Sequence, residues 1–263
     1  MVSASANIAD PHRPLVQLER VGVDFARQRV LRDIDLAIPR GQTLAIIGES
    51  GCGKTVLLKT IIGLLRPSRG TVYFDGKNLA QLREKEMTRQ RTRFGFLFQQ
   101  AALFDSMTIA QNVAFPLRQH TAKRPEEIRR IVLARLAEVG LPENVVMKKP
   151  AELSGGMRKR VGIARAIAGK PKYLLYDEPT SGLDPVNADI IDALVQRLDQ
   201  ELGVTSIMVT HDVRGAFRVA NRLALLSEGK VVMQGTPQEF LASENPKVKA
   251  FLERDFDNSQ FAA

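Results

Sequence analysis

Residues 48–55 read Gly48-Glu49-Ser50-Gly51-Cys52-Gly53-Lys54-Thr55, the spacing G-x-x-x-x-G-K-[ST] of a phosphate-binding P-loop. No other stretch restricts the fold as strongly. The apolar run Gln42-Thr43-Leu44-Ala45-Ile46-Ile47 precedes it and reads as a buried strand. Val56-Leu57-Leu58-Lys59-Thr60-Ile61-Ile62 follows it and reads as a helix entering the core. Strand, glycine loop and helix together are the context in which the motif becomes a site. Gly48, Gly51 and Gly53 let the backbone curl so that successive N–H groups point inward, toward an anion at the positive end of the helix. Lys54 is placed to reach β- and γ-phosphates, and the Thr55 hydroxyl to bind Mg²⁺. Cys52, the only cysteine, reads as a small loop-filling residue, and a chain with one cysteine forms no internal disulfide.

The formal charge of +9 admits nucleic acid, an anionic membrane face or nucleotide phosphates as partners. The basic residues sit in segments such as Arg83 to Arg93 and Lys123 to Arg130, where they alternate with Glu and polar residues. That pattern describes solvated helix faces rather than a nucleic-acid stripe, and neither zinc spacing nor an RNA-binding signature is present. No apolar run reaches the ~18–20 residues of a membrane-spanning helix. Met1 to Pro14 has no apolar core; the expectation is a short disordered arm and not a secretory signal.

Along the chain, Leu15 to Val23 and Val30 to Ile38 alternate apolar and polar residues, as two strands of a half-buried antiparallel sheet do. Phe25 lies between them. Thr71 to Phe74 and Phe94 to Phe98 read as further strands, the second ending in Gln99-Gln100. Residues 101–169 change character: apolar residues recur at helical spacing, and Pro116, Pro125, Pro142 and Pro150 break the elements. This reads as a helical insertion. Its last helix starts near Ser154-Gly155-Gly156, a second helix N-terminus with free backbone donors. Tyr173-Leu174-Leu175-Tyr176 is a buried strand running into Asp177-Glu178, two carboxylates that need a cation if they are buried. Asp177 is a candidate Mg²⁺ ligand and Glu178 a candidate proton acceptor for water. Asp184 to Leu202 carries the apolar stripe of an amphipathic helix. Thr205 to Thr210 is a strand ending in His211-Asp212, where ligands gather in parallel sheets. A hairpin, Leu223 to Gln234, and short helices at Pro237 and Pro246 complete the chain.

Taken together these segments resemble the ABC ATPases. Gly48–Thr55 is the Walker A motif, Leu153-Ser154-Gly155-Gly156-Met157 resembles the signature, and Tyr173–Glu178 matches Walker B; Ser181-Gly182-Leu183-Asp184 and His211 follow in the family's order. The resemblance implies an α/β P-loop NTPase with a RecA-like core, an antiparallel β-subdomain and a helical subdomain. It implies an ATPase domain over residues 15–240, with helices at about 101–169 and a tail at 241–263. ATP and Mg²⁺ are the implied ligands. Phe25 then corresponds to the adenine-stacking aromatic, and Gly48 to Val56 to the nucleotide cradle. Gln99 is the glutamine near the metal and water, so that Thr55, Gln99 and Asp177 form the implied metal set. Glu178 is the base, Asp184 the D-loop aspartate and His211 the switch histidine. Lys54, Gln99, Glu178 and His211 form the implied catalytic set. Ser154, Gly155 and Gly156 are expected to touch ATP held by a second copy. Met157 stands where Gln is commoner and is expected to face that copy.

A narrower resemblance is to the Mla-type phospholipid-trafficking ATPases. It rests on LSGGM, on Ala102 to Ile109, and on Asn112-Val113-Ala114-Phe115-Pro116-Leu117-Arg118. It implies a peripheral protein on the cytoplasmic face of the bacterial inner membrane, driving phospholipid trafficking that maintains outer-membrane lipid asymmetry. The implied partners are a second copy in a nucleotide-sandwich dimer, an MlaE-like permease, an MCE-domain subunit and small accessory subunits, with no nucleic acid. An importer ATPase for another solute shares most of these features. A soluble ABC ATPase acting on nucleic acid or ribosomes is a further reading, kept open by the charge. The tail, with Phe251, Phe256 and Phe261, is expected to pack on the second copy.

Overall fold

The computed structural model describes residues 14–26 and 28–255. The chain runs β1 (Val16–Phe25), β2 (Gln28–Ile38), β3 (Thr43–Ile47), α1 (Lys54–Ile61), β4 (Arg69–Phe74), β5 (Lys77–Asn78), α2 (Glu84–Arg91) and β6 (Phe94–Leu97). It continues through α3 (Ile109–His120), α4 (Pro125–Glu138), α5 (Gly155–Ile167), β7 (Tyr173–Asp177), α6 (Pro185–Leu202), β8 (Thr205–Thr210) and α7 (Val213–Val219). The last elements are β9 (Arg222–Ser227), β10 (Lys230–Gly235), α8 (Pro237–Leu241) and α9 (Pro246–Asp255).

The strands form two sheets. One is antiparallel, in the order β2-β1-β4-β5; the other has the order β10-β9-β3-β8-β7-β6, parallel except for the β9–β10 hairpin. In β3, β7 and β8 every residue is buried, because a parallel sheet is covered on both faces and needs continuous apolar runs. Alternate side chains enter different cores. Leu44, Ile46, Leu175, Ile207, Val209, Ala224 and Leu226 pack with α1 and the antiparallel sheet. Their neighbours Ala45, Ile47, Leu174, Tyr176, Met208, Leu223 and Leu225 pack with α3, α5, α6 and α7. The period-2 alternation of a strand therefore sorts one run of residues into two layers. The insertion at 101–169 shares this second cluster with the sheet. Buried Asp199 on α6 is satisfied by two hydroxyls, Thr43 Oγ1 at 2.8 Å and Tyr176 OH at 2.9 Å. It pins the helix to β3 and β7.

The segment Arg83 to Arg93 departs from a purely solvated face. Arg91 donates to the Gly63 carbonyl at 2.7 Å, and Arg93 bonds Asp75 and the Tyr173 hydroxyl while stacking over Phe74 and Tyr173. Val248 and Leu252 of α9 are buried in the chain's own core and Phe251 packs against it. An amphipathic helix adjacent to an open apolar face in the same chain covers that face first. Phe256 and Phe261 lie outside the described residues. Among the described residues no helix is long and apolar enough to cross a membrane.

Candidate functional site

Strand order assembles the site. β8 lies between β3 and β7, all parallel, with Ile47 opposite Thr210 and Asp177 opposite Val209. The residues that follow each strand, Gly48, His211 and Glu178, thus emerge at one carboxyl edge, the place where open α/β sheets bind ligands. The loop after β3 needs its glycines sterically. A Cβ at Gly48 would lie 2.2 Å from the Leu226 carbonyl oxygen, and Gly53, the N-cap of α1, has φ of 107°. Gly48→Ala is expected to lower the unfolding free energy by about 1–3 kcal/mol through overpacking against β9, read by urea denaturation; unchanged stability would show that the loop relaxes freely.

Lys54 is only 6% exposed. Its Nζ donates to the Gly48 carbonyl at 2.8 Å and the Glu49 carbonyl at 3.0 Å, and lies 3.7 Å from Glu178 Oε1. A buried ammonium requires such acceptors. Glu49, Ser50 and Gly51 are exposed, and Glu49 also contacts Arg254 of α9. Burial raises the Cys52 thiol, with Lys54 pulling the other way, so the thiol stays protonated and serves as filling. Val56 follows within the first turn of α1.

The carboxylates after β7 are buried as well, Asp177 at 6% and Glu178 at 8% exposure. Burial pushes the Asp177 carboxyl up, opposed by the Thr55 hydroxyl, which donates to Asp177 Oδ1 at 3.1 Å. These two oxygens suit a hard divalent cation that takes most of its remaining ligands from phosphate and water. Among the described residues no group of three or more His, Cys, Asp and Glu could hold a metal by itself.

Glu178 has a φ of 49°, unusual for a residue with a side chain. Its N–H donates to the Val209 carbonyl at 2.8 Å. Its Oε2 accepts from the His211 N–H at 3.2 Å and lies 2.7 Å from His211 Nδ1. The carboxylate is therefore held between Lys54 and His211, with its direction set by the strained backbone.

A residue absent from the sequence reading completes this centre. Lys159 of α5, 5% exposed, donates from Nζ to the Glu178 carbonyl at 2.8 Å and to the Gln99 carbonyl. Burial pushes its amine down to about 8, while Glu178 and Asp177 hold it up, and at neutral pH it remains mostly an ammonium. Gly156, Ile163 and Ala166 are buried on the same face of α5, a placement of a lysine that shows only once the helix is packed.

Other predicted residues sit farther out. Phe25 ends β1 and is 46% exposed, available for stacking. The Gln99 side chain is exposed and makes no hydrogen bond to Thr55 or Asp177 among the described residues; its carbonyl is the group in use. Ser154 caps α5, accepting from the Met157 N–H at 3.3 Å. Asp184 caps α6 and holds the Asn187 amide at 2.7 Å, and that side chain stands 3.0 Å from where a Gly156 Cβ would be. The ends of α5 and α6 are thereby joined. No hydrogen bond or ion pair among the described residues links Ser154, Gly155 or Gly156 to the 48–55 loop. Met157 is partly buried against the core of its own chain, where an apolar thioether is accommodated.

Comparison with known proteins places this geometry. The family model described as "ABC transporter" matches residues 31–181. The chain is 41% identical over 242 residues to the intermembrane phospholipid transport system ATP-binding protein MlaF of Haemophilus influenzae, covering 91% of each. It is 42% identical over 237 residues to the probable ribonucleotide transport ATP-binding protein mkl of Mycobacterium tuberculosis, covering 90% of this chain but 66% of that protein. Among solved structures, the ATP-binding cassette MJ0796 in a dimeric post-hydrolysis state bound to ADP and Pi superposes with a TM-score of 0.77 at 34% identity, covering 84% of this chain and 98% of that one. CbiO1 of Clostridium perfringens, part of the transporter complex cbiONQ, gives 0.79 at 33% identity, covering 92% and 97%.

Proposed function

From the premise that this chain belongs to the ABC transporter family of ATP-binding cassettes, we propose that it is the ATP-hydrolysing subunit of a phospholipid transporter. The observation that carries the hydrolytic part is Glu178, buried at a strand end and held between Lys54 and His211. In this reading the triphosphate lies along the 48–55 loop, where Lys54 turns from the loop carbonyls to the β- and γ-phosphates. Phe25 stacks on the adenine. Thr55 and Asp177 hold Mg²⁺, with Gln99 nearby. Bound there, the ion neutralises charge on the phosphate oxygens. Glu178 orients a water and accepts its proton as the water oxygen bonds to the γ-phosphorus and the bond to the β-phosphate oxygen breaks. His211 keeps the carboxylate in line through its main-chain N–H and ring Nδ1 and stands beside the γ-phosphate. Positioning and charge stabilisation supply most of the acceleration.

The signature end, Ser154 to Gly156, is not joined to the loop of its own chain. A second copy facing head to tail brings that helix end over the γ-phosphate, with Asp184 at the shared boundary, so that two ATP molecules are enclosed. Binding then favours the closed pair and hydrolysis opens it. The cassette works against an integral-membrane permease of the MlaE type, with MCE-domain and small accessory subunits, at the cytoplasmic face of the bacterial inner membrane.

Phospholipid as cargo is supported by the 41% identity and the 91% coverage of both chains with the Haemophilus protein. The 42% identity to mkl favours ribonucleotide transport as the second reading. The test is to purify the complex from detergent-solubilised membranes and assay ATPase activity in vesicles. Bound phospholipid in the permease and lipid exchange driven by ATP are expected. A complex that carries labelled ribonucleotide and leaves lipid in place would overturn the cargo assignment.

A further inference from the structure

We propose that Lys159 is a positioning residue for ATP hydrolysis, the side chain through which the Ser154-capped helix sets the geometry of Glu178 and of the segment at Gln99. The proposal rests on the hydrolytic reading of the site given above.

One ammonium meets two main-chain carbonyls that are distant in sequence, Gln99 O and Glu178 O. Both belong to residues assigned to the reaction, and neither bond uses the side chain of Gln99 or Glu178. Lys159 therefore fixes where these residues stand and leaves the carboxylate of Glu178 free for Lys54 and His211. The second backbone group of Glu178 is also committed, its N–H to Val209 O at 2.8 Å. With both peptide groups held, the left-handed φ of 49° is locked and the carboxylate has one direction. Without Lys159 the carbonyl keeps only the longer bond from the Ser181 N–H at 3.3 Å, and the residue gains room to relax toward the broader allowed regions, turning the carboxylate away from the loop.

The lysine also has a lever arm. It lies five residues past Ser154 on α5, about 7.5 Å along the axis at 1.5 Å per residue. α5 begins at the glycine-rich end assigned to the partner's nucleotide, so a shift or tilt of that end is carried by the helix to the carbonyls of Glu178 and Gln99. A lysine suits the post, since its three donors rotate to serve two acceptors at once. Methionine, of similar length, offers none.

The experiment uses the full chain and compares kcat and KM for ATP, affinity for a fluorescent ATP analogue, and thermal unfolding in the wild type, Lys159→Met, Lys159→Gln and Lys159→Arg. Lys159→Met is expected to lower kcat by roughly 10- to 100-fold, the scale of a misplaced catalytic group, with KM and analogue affinity within about twofold of wild type. Lys159→Arg keeps charge and donors and is expected to recover most of the rate. If Lys159→Met does not fold, Lys159→Gln, with one amide for two carbonyls, carries the test through an intermediate kcat at unchanged KM. A kcat within about twofold of wild type, equal losses of kcat and affinity, or an Arg variant no better than Met would overturn the proposal. Glu178→Gln, run in parallel, separates the two levels. Full activity there removes the hydrolytic reading itself, whereas loss there with Lys159→Met unaffected removes this inference alone.

Discussion

Glu178→Gln is expected to lower ATP hydrolysis by about 100-fold or more, the range general-base catalysis contributes, and to accumulate an ATP-bound dimer. The substitution keeps the volume and the buried position but removes the negative charge. In the native chain one carboxylate oxygen faces Lys54 Nζ at 3.7 Å and the other meets the His211 ring and N–H at 2.7 and 3.2 Å. The Lys54 ammonium and the His211 main-chain N–H are donors, and His211 Nδ1 takes either role with its tautomer. The amide is neutral and its NH₂ accepts no proton, so Lys54 loses its counter-charge and water loses its proton acceptor. The nucleotide contacts of the 48–55 loop stay intact, and closure without turnover follows. Phosphate release and size-exclusion chromatography with ATP and Mg²⁺ read the two halves. A wild-type rate would show that another group accepts the proton; lost hydrolysis without any dimer would separate catalysis from assembly.

Lys54→Ala is expected to weaken ATP binding by about 2–5 kcal/mol, the usual cost of truncating one member of a buried charged contact, or roughly 30-fold to several thousandfold in Kd. The ammonium is the one basic side chain buried within the loop, and its other neighbours are carbonyls and a carboxylate. Without it, phosphate charge would face Glu178 unscreened. Calorimetric titration gives the affinity, and a Tm near that of the wild type excludes unfolding as the cause. An unchanged Kd would mean that backbone amides alone carry the phosphates.

These two residues differ in how they could be found. Lys54 lies inside eight contiguous positions whose backbone must curl around an anion, a local requirement that leaves a local pattern. Glu178 was visible because an acidic pair closing an apolar strand is costly unless it has a task. The layers were equally legible: Thr43–Ile47, Tyr173–Asp177 and Thr205–Thr210 are mostly apolar and buried throughout because both faces are covered. Lys159 was not legible. A lysine on a helix is normally solvated, and this one is buried only because carbonyls from Gln99 and Glu178 arrive beside it. Met157 and Phe251 are half-buried against their own chain's core, a packing that the sequence alone does not show.

Local chemistry wrote the loop, the strand and helix periods and the acidic strand end into the order of residues, because each depends on neighbours a few positions away. Which ends meet was settled by folding alone. Placing β8 between β3 and β7 brings Gly48, Glu178 and His211 to one edge, and packing α5 on that sheet delivers Lys159. Those pairings join residues up to 163 positions apart, as from Gly48 to His211. Contacts of that range are selected by the burial of whole faces, which no short stretch of sequence records.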